Sequence, residues 1–156
     1  TLICSFIVSQ NDRTVFERLM ETGCYKVSGA LSDIRELGKE IPRDAHLSTQ
    51  TNIVPQFAAR DFIYGYPANR YEQGRHMDYY IFSIDAENNL QNKLVWIWEV
   101  ENFILNRPEH GIYKQKNGTF LLKKGYTPTK AEADAVLNYL WEQRALIKDK
   151  IAEEVE

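Results

Sequence analysis

Apolar and polar residues fall in short blocks along this chain, and the period of the blocks changes several times. Residues 2–9 form a nearly unbroken apolar run of strand length. Asn11 and Asp12 supply capping chemistry, and Thr14-Val15-Phe16-Glu17 has capping-box spacing. Phe16, Leu19 and Met20 then mark the buried face of a short helix that Gly23 stops. Residues 24–27 read as extended, Ser28-Gly29 as a turn, and Leu31, Ile34 and Leu37 as a second short helix closed by Gly38. Residues 41–55 show no clear period beyond a short strand near 52–54. Strands are predicted over 61–66 and 77–84, with a polar loop at 67–76 between them.

The densest apolar block is Lys93-Leu94-Val95-Trp96-Ile97-Trp98-Glu99-Val100-Glu101. Its alternation predicts a strand, with Leu94, Trp96, Trp98 and Val100 on one face and Val95, Ile97, Glu99 and Glu101 on the other. Across the Asn-rich loop 85–92 it is expected to pair with 77–84 as an antiparallel hairpin. A smaller hairpin joins 112–116 to 119–123 through Asn117-Gly118, a pair suited to a type I′ turn. Thr129-Lys130-Ala131-Glu132 is a capping box, and Ala133, Val136, Leu137, Leu140, Arg144, Ile147 and Ile151 form one helical stripe. The order of elements predicts an α+β fold: a curved, mostly antiparallel sheet or barrel flanked by short helices and closed by a C-terminal helix.

Composition narrows this picture. The chain has 156 residues, 44% apolar and 26% charged, which suits one domain with a real core. The missing initiator Met and the charged end suggest a domain excised from a larger protein. A net charge of −3 leaves any nucleic-acid contact to a local patch. Residues 114–130 hold five lysines (Lys114, Lys116, Lys123, Lys124, Lys130) and no acid, and Arg75 adds to a smaller basic spot. Such clusters suit phosphate contacts, and also suit a solvated hairpin. Cys4 and Cys24 match neither a disulfide framework nor a metal site, which fits a reducing, cytoplasmic setting. No apolar run reaches membrane-spanning length. His46, His76 and His110 have no partners at zinc-ligand spacing.

Two resemblances give these residues candidate chemistry. Ser5-Phe6-Ile7-Val8-Ser9-Gln10-Asn11-Asp12, then Gly23-Cys24-Tyr25-Lys26-Val27-Ser28, resembles the opening of YTH and EVE domains of the PUA-like superfamily. Phe62-Ile63-Tyr64-Gly65, Lys93-Leu94-Val95-Trp96-Ile97 and residues 125–140 are similar to later parts of that family. The resemblance implies a module that reads a methylated base, flipped out of DNA or RNA, in an aromatic pocket. It implies no chemistry and no cofactor, and it points to the recognition part of a modification-dependent restriction system with a fused or associated nuclease or motor. By position, Tyr25 and Tyr71 would wall the pocket; Ser9, Gln10 and Asn11 would read the base edge. Arg75, Lys114, Lys116, Lys123 and Lys124 would take phosphates.

The second resemblance is to the PD-(D/E)xK nuclease core. The predicted large hairpin would bring Asp78 near Glu99 and Glu101, three carboxylates able to hold Mg²⁺ for cleavage. Met77 stands where that family has Pro, and its usual Lys is absent. An interaction domain without a nucleic-acid role is the third alternative. Loss of methylated-oligonucleotide binding in Tyr25→Ala, or of Mg²⁺-dependent cutting in Glu99→Ala, separates the first two.

Overall fold

The computed structural model describes residues 29–66, 77–87 and 89–153. The elements expected within residues 1–28, the loop at 67–76, and Ser9, Gln10, Asn11, Tyr25, Tyr71 and Arg75 lie outside them. In chain order the described elements are α1 (Gly29–Gly38), β1 (Leu47–Gln50), β2 (Ile63–Tyr66), β3 (Tyr79–Ser83), α2 (Leu90–Asn106), β4 (His110–Lys116), β5 (Thr119–Lys124) and α3 (Lys130–Glu153).

The fold is α+β, built on a five-stranded mixed sheet in the order β2-β1-β3-β5-β4. β1 runs parallel to both β2 and β3, while β5 is antiparallel to β3 and to β4. The sheet is not closed into the expected barrel. The strands of its central part are buried on both sides, and alternation along β3 shows how. Tyr79 and Ile81 join Ile34 and Leu37 of α1 in one core; Tyr80 and Phe82 join Ile97, Phe103, Leu140 and Ile147 of α2 and α3 in a second.

The largest departure from the sequence reading is α2. The Trp96–Trp98 block is the middle of a 17-residue helix, not a strand, so the large hairpin with 77–84 does not form. Asn89 caps the helix: its side chain accepts hydrogen bonds from Gln91 N (2.8 Å) and Asn92 N (3.2 Å). The buried positions Ile97, Val100, Glu101 and Phe103 follow a helical rather than an alternating period. β3 takes β5 as its antiparallel partner instead. The short strand expected near 52–54 is also displaced: the strand is β1, and a 3₁₀ turn at Val54–Phe57 follows it.

The smaller hairpin, α1 and α3 form where the sequence puts them. The β4–β5 turn differs in detail, since Asn117 alone of its two turn residues has positive φ (48°). Gly118 is required there for another reason, because a Cβ would strike the Asp85 carboxylate and Ile84. A bulge between Ile112 and Lys114 adds one residue to β4. α3 begins with the predicted capping box: Thr129 N donates to Glu132 Oε2 (2.7 Å), and Glu132 N donates to Thr129 Oγ1 (3.3 Å). The Thr129 bonds hold the Glu132 carboxyl below the usual carboxylate range. α2 starts at the C-terminal end of β3 and α3 at that of the oppositely directed β5, so the two helices run antiparallel. Arg144 of α3 pairs with the buried Glu101 of α2. Among the described residues no helix is long and apolar enough to cross a membrane.

Candidate functional site

The chemistry-bearing side chains gather where β1, β2 and β3 begin and β5 ends, here called the lower end of the sheet. His46 immediately precedes β1, and its backbone ties the neighbouring strands together. Its N–H donates to Asp78 Oδ2 (2.9 Å), and its carbonyl accepts from the N–H groups of Asp78 (3.0 Å) and Tyr79 (3.1 Å). On the other side, Leu47 N donates to the carbonyl of Phe62 (3.0 Å). This clamping holds the imidazole against two rings, Phe62 just before β2 and Tyr64 within it. The His46 and Phe62 centroids lie 4.4 Å apart at 8°, and those of His46 and Tyr64 5.8 Å apart at 10°. A hydrogen bond of 3.3 Å joins the Tyr64 hydroxyl to His46 Nδ1. The result is a near-parallel stack of three rings, ending in Phe62, which is 40% exposed.

At the same end of the sheet, a cleft of ≈ 380 Å³ is lined by Pro42, Asp44, Ala45, Asp78, Tyr79, Lys123 and Lys124, with Tyr79 and Lys123 on the α1 face of the sheet, opposite the ring stack. The Lys123 ammonium lies 5.9 Å from the Tyr79 ring centroid and 5.1 Å from that of Tyr113, which positions it over aromatic faces. Two ammonium and two carboxylate groups give the cleft both donors and acceptors. Its volume is within the ~300–1,000 Å³ of small-ligand sites, near the lower bound.

Higher on the same sheet face as the ring stack, Tyr66 reaches across β1. Its ring lies 5.1 Å from Phe82 and 6.1 Å from Tyr80, both on β3, so it roofs the intervening Ser48 and Gln50. Its hydroxyl donates to Glu99 Oε2 (2.8 Å), and burial, then this bond, push its phenol well above the usual tyrosine range. Gln50 Oε1 accepts from Ser83 N (2.7 Å), while Gln50 Nε2 and Ser48 Oγ are buried without a hydrogen-bond partner among the described residues. This upper region is a closed polar seam that locks β1 to β3; the open, ligand-sized surface is at the lower end.

Of the predicted phosphate residues, Lys123 and Lys124 lie in the cleft, whereas Lys114 and Lys116 are drawn to α1. Lys114 Nζ lies 3.0 Å from Glu40 Oε1, and Lys116 meets Glu36 and, at 3.3 Å, Asp33. The carboxylates Asp78, Glu99 and Glu101 have separate engagements, with His46 N, Tyr66 and Arg144 respectively. The hairpin expected to converge them is replaced by a strand and a helix. Among the described residues no group of three or more His, Cys, Asp or Glu side chains is placed to hold a metal ion. The sequence reading did not single out His46, Phe62 or Tyr64 as a site. Phe62-x-Tyr64-x-Tyr66 was the available signal: three rings on one face of a predicted strand. His46 gave no such signal, because β1 itself was not recognised.

Comparison with known proteins returns no matching family model, no matching curated protein and no matching solved structure.

Proposed function

We propose that the chain is a nucleic-acid-binding module that holds an unpaired, extruded base, a methylated one included, at the lower end of the sheet. The observation that carries this reading is the near-parallel Phe62–His46–Tyr64 stack with its exposed terminal ring. A base that leaves its helical stack needs a replacement aromatic face, and stacking on one ring is worth about 1–3 kcal/mol. The cleft at the same end of the sheet has the scale of one nucleotide rather than a duplex. Its carboxylates suit the amino edges of bases, and its lysines suit the backbone.

Both features sit at the lower end of the sheet, the ring stack on its α2–α3 face and Tyr79 and Lys123 of the cleft on its α1 face, so a single strand that used both would pass around the end of the sheet. The reading uses no cofactor. It keeps the ligand class implied by the resemblance to YTH and EVE domains, and places ring stacking on residues 46, 62 and 64.

Fluorescence anisotropy with labelled single-stranded and duplex DNA and RNA, each methylated or unmodified, tests it at low salt. Single strands or flipped-base duplexes bind, and Phe62→Ala weakens binding about 5- to 150-fold, the equivalent of ~1–3 kcal/mol. Lys123→Ala flattens the salt dependence. Absence of binding to every oligonucleotide, or wild-type affinity in a folded Phe62→Ala, refutes the proposal.

A further inference from the structure

The solvent side of α2 is unusual for a surface helix. Its exposed residues are Gln91, Asn92, Val95, Trp98, Leu105 and Asn106, and none carries a charge. Solvent faces of helices are ordinarily charged or strongly polar, whereas depletion of charge with enrichment of Trp marks the centre of protein interfaces. Val95, Trp98 and Leu105 fall on one stripe at spacings of three and seven, with Trp98 57% and Leu105 65% exposed. On the adjoining helix, Trp141 is 54% exposed. Trp98 precedes Glu101 by three residues, and Trp141 precedes its partner Arg144 by three. Both indoles therefore flank the Glu101–Arg144 pair on the solvent side of the helix layer.

We infer that this face docks a second copy of the same chain, across a two-fold axis that sets α3 antiparallel to its mate. Charge order along α3 selects that occupant and that direction. Asp134, Asn138, Trp141, Ala145, Lys148 and Ala152 form a stripe of exposed residues with alternating steps of four and three residues. The acid precedes the tryptophan and the lysine follows it. Reversing one copy on the other about Trp141 sets that indole beside its mate on the axis and brings Asp134 opposite Lys148 twice by symmetry. A parallel arrangement would face acid with acid and lysine with lysine. The area is also adequate. α3, at 24 residues, is about 36 Å long and α2, at 17, about 26 Å; at about 10 Å of width each, the face offers on the order of 600 Å². A standard stable interface takes about 800 Å² from each partner. The face is separate from the lower-end cleft, so each copy keeps its own.

Sedimentation velocity and light scattering on the full chain read the result directly. The wild type runs at twice 18.2 kDa at micromolar concentration. Trp98→Glu/Trp141→Glu, and Ala145→Arg as a milder surface variant, run as monomers with unchanged far-UV circular dichroism. Asp134→Lys weakens the dimer several-fold, and adding Lys148→Asp restores it. A wild type that stays monomeric at 100 μM overturns the inference. So does a dimer indifferent to all three surface changes, or a charge swap that fails to restore association.

Discussion

Removing the Arg144 side chain isolates one electrostatic contact that holds the two-helix layer together. Arg144 pairs with Glu101, whose side chain is only 10% exposed, while the arginine is 31% exposed. Arg144 meets Glu101 Oε2, and among the described residues Oε1 has no hydrogen-bond partner, so the carboxylate depends on this one guanidinium. Arg144→Met keeps the aliphatic stem against α2 and leaves the carboxylate buried and uncompensated. Loss of one partner from a fully buried pair costs about 3–5 kcal/mol; partial solvent access to the arginine reduces this to about 2–3 kcal/mol. With a urea m-value of about 2 kcal/mol/M, the midpoint falls by roughly 1–1.5 M. Glu101→Leu/Arg144→Met removes both charges and the orphaned oxygen, and is expected within about 1 kcal/mol of wild type, or more stable. Urea titrations followed by circular dichroism complete the cycle. An Arg144→Met cost below about 1 kcal/mol would refute the argument. A double variant as unstable as the sum of the single changes would do the same, because the loss would then lie in packing rather than in the stranded charge.

Three further outcomes follow from the α3 capping box and from Tyr66. Thr129→Ala should cost about 1 kcal/mol by opening the capping box of α3. Because Glu132 titrates below its unfolded value, its contribution is present above the unfolded carboxylate range and is lost as pH falls through the folded one. The stability gap between wild type and Glu132→Gln, measured by urea titration from pH 7 to pH 2, should accordingly close on acidification. The Tyr66 phenol is raised, so the folded chain retains a proton that the unfolded chain releases near pH 10. Stability should decline above that pH, and less steeply in Tyr66→Phe; parallel slopes for the two proteins would contradict the assignment.

How much of this was legible in the sequence depends on how local each signal is. α3 carries its capping box and a long 3.6-residue stripe in one contiguous segment, and the Asn117-Gly118 hairpin is equally local. The block around Trp96 and Trp98 misleads because nine residues fit two periods. Leu94, Ile97, Val100 and Glu101 also form a helical face, and Asn89 capped it from within what read as a loop. β1 was invisible for a different reason. Ser48, Thr49 and Gln50 look like loop residues, yet they are buried. Thr49 Oγ1 donates to the Ile81 carbonyl (2.8 Å) and Gln50 accepts from Ser83 N, partners about thirty residues away. At the candidate site, the alternating rings of β2 could be seen, but His46 could be placed against Phe62 and Tyr64 only once β1 and β2 were known to be neighbours.

The acids of α1 and of the turn that follows it give the hairpin lysines a second significance. Glu40, Glu36 and Asp33 already occupy Lys114 and Lys116, and Asn117 donates to Asp33 as well (2.7 Å). These cations therefore act as a latch, fastening the first described helix onto the far edge of the sheet. A polyanion that recruited them would compete with these acids for the same ammonium groups, while the buried Ile34 and Leu37 would keep α1 on the core.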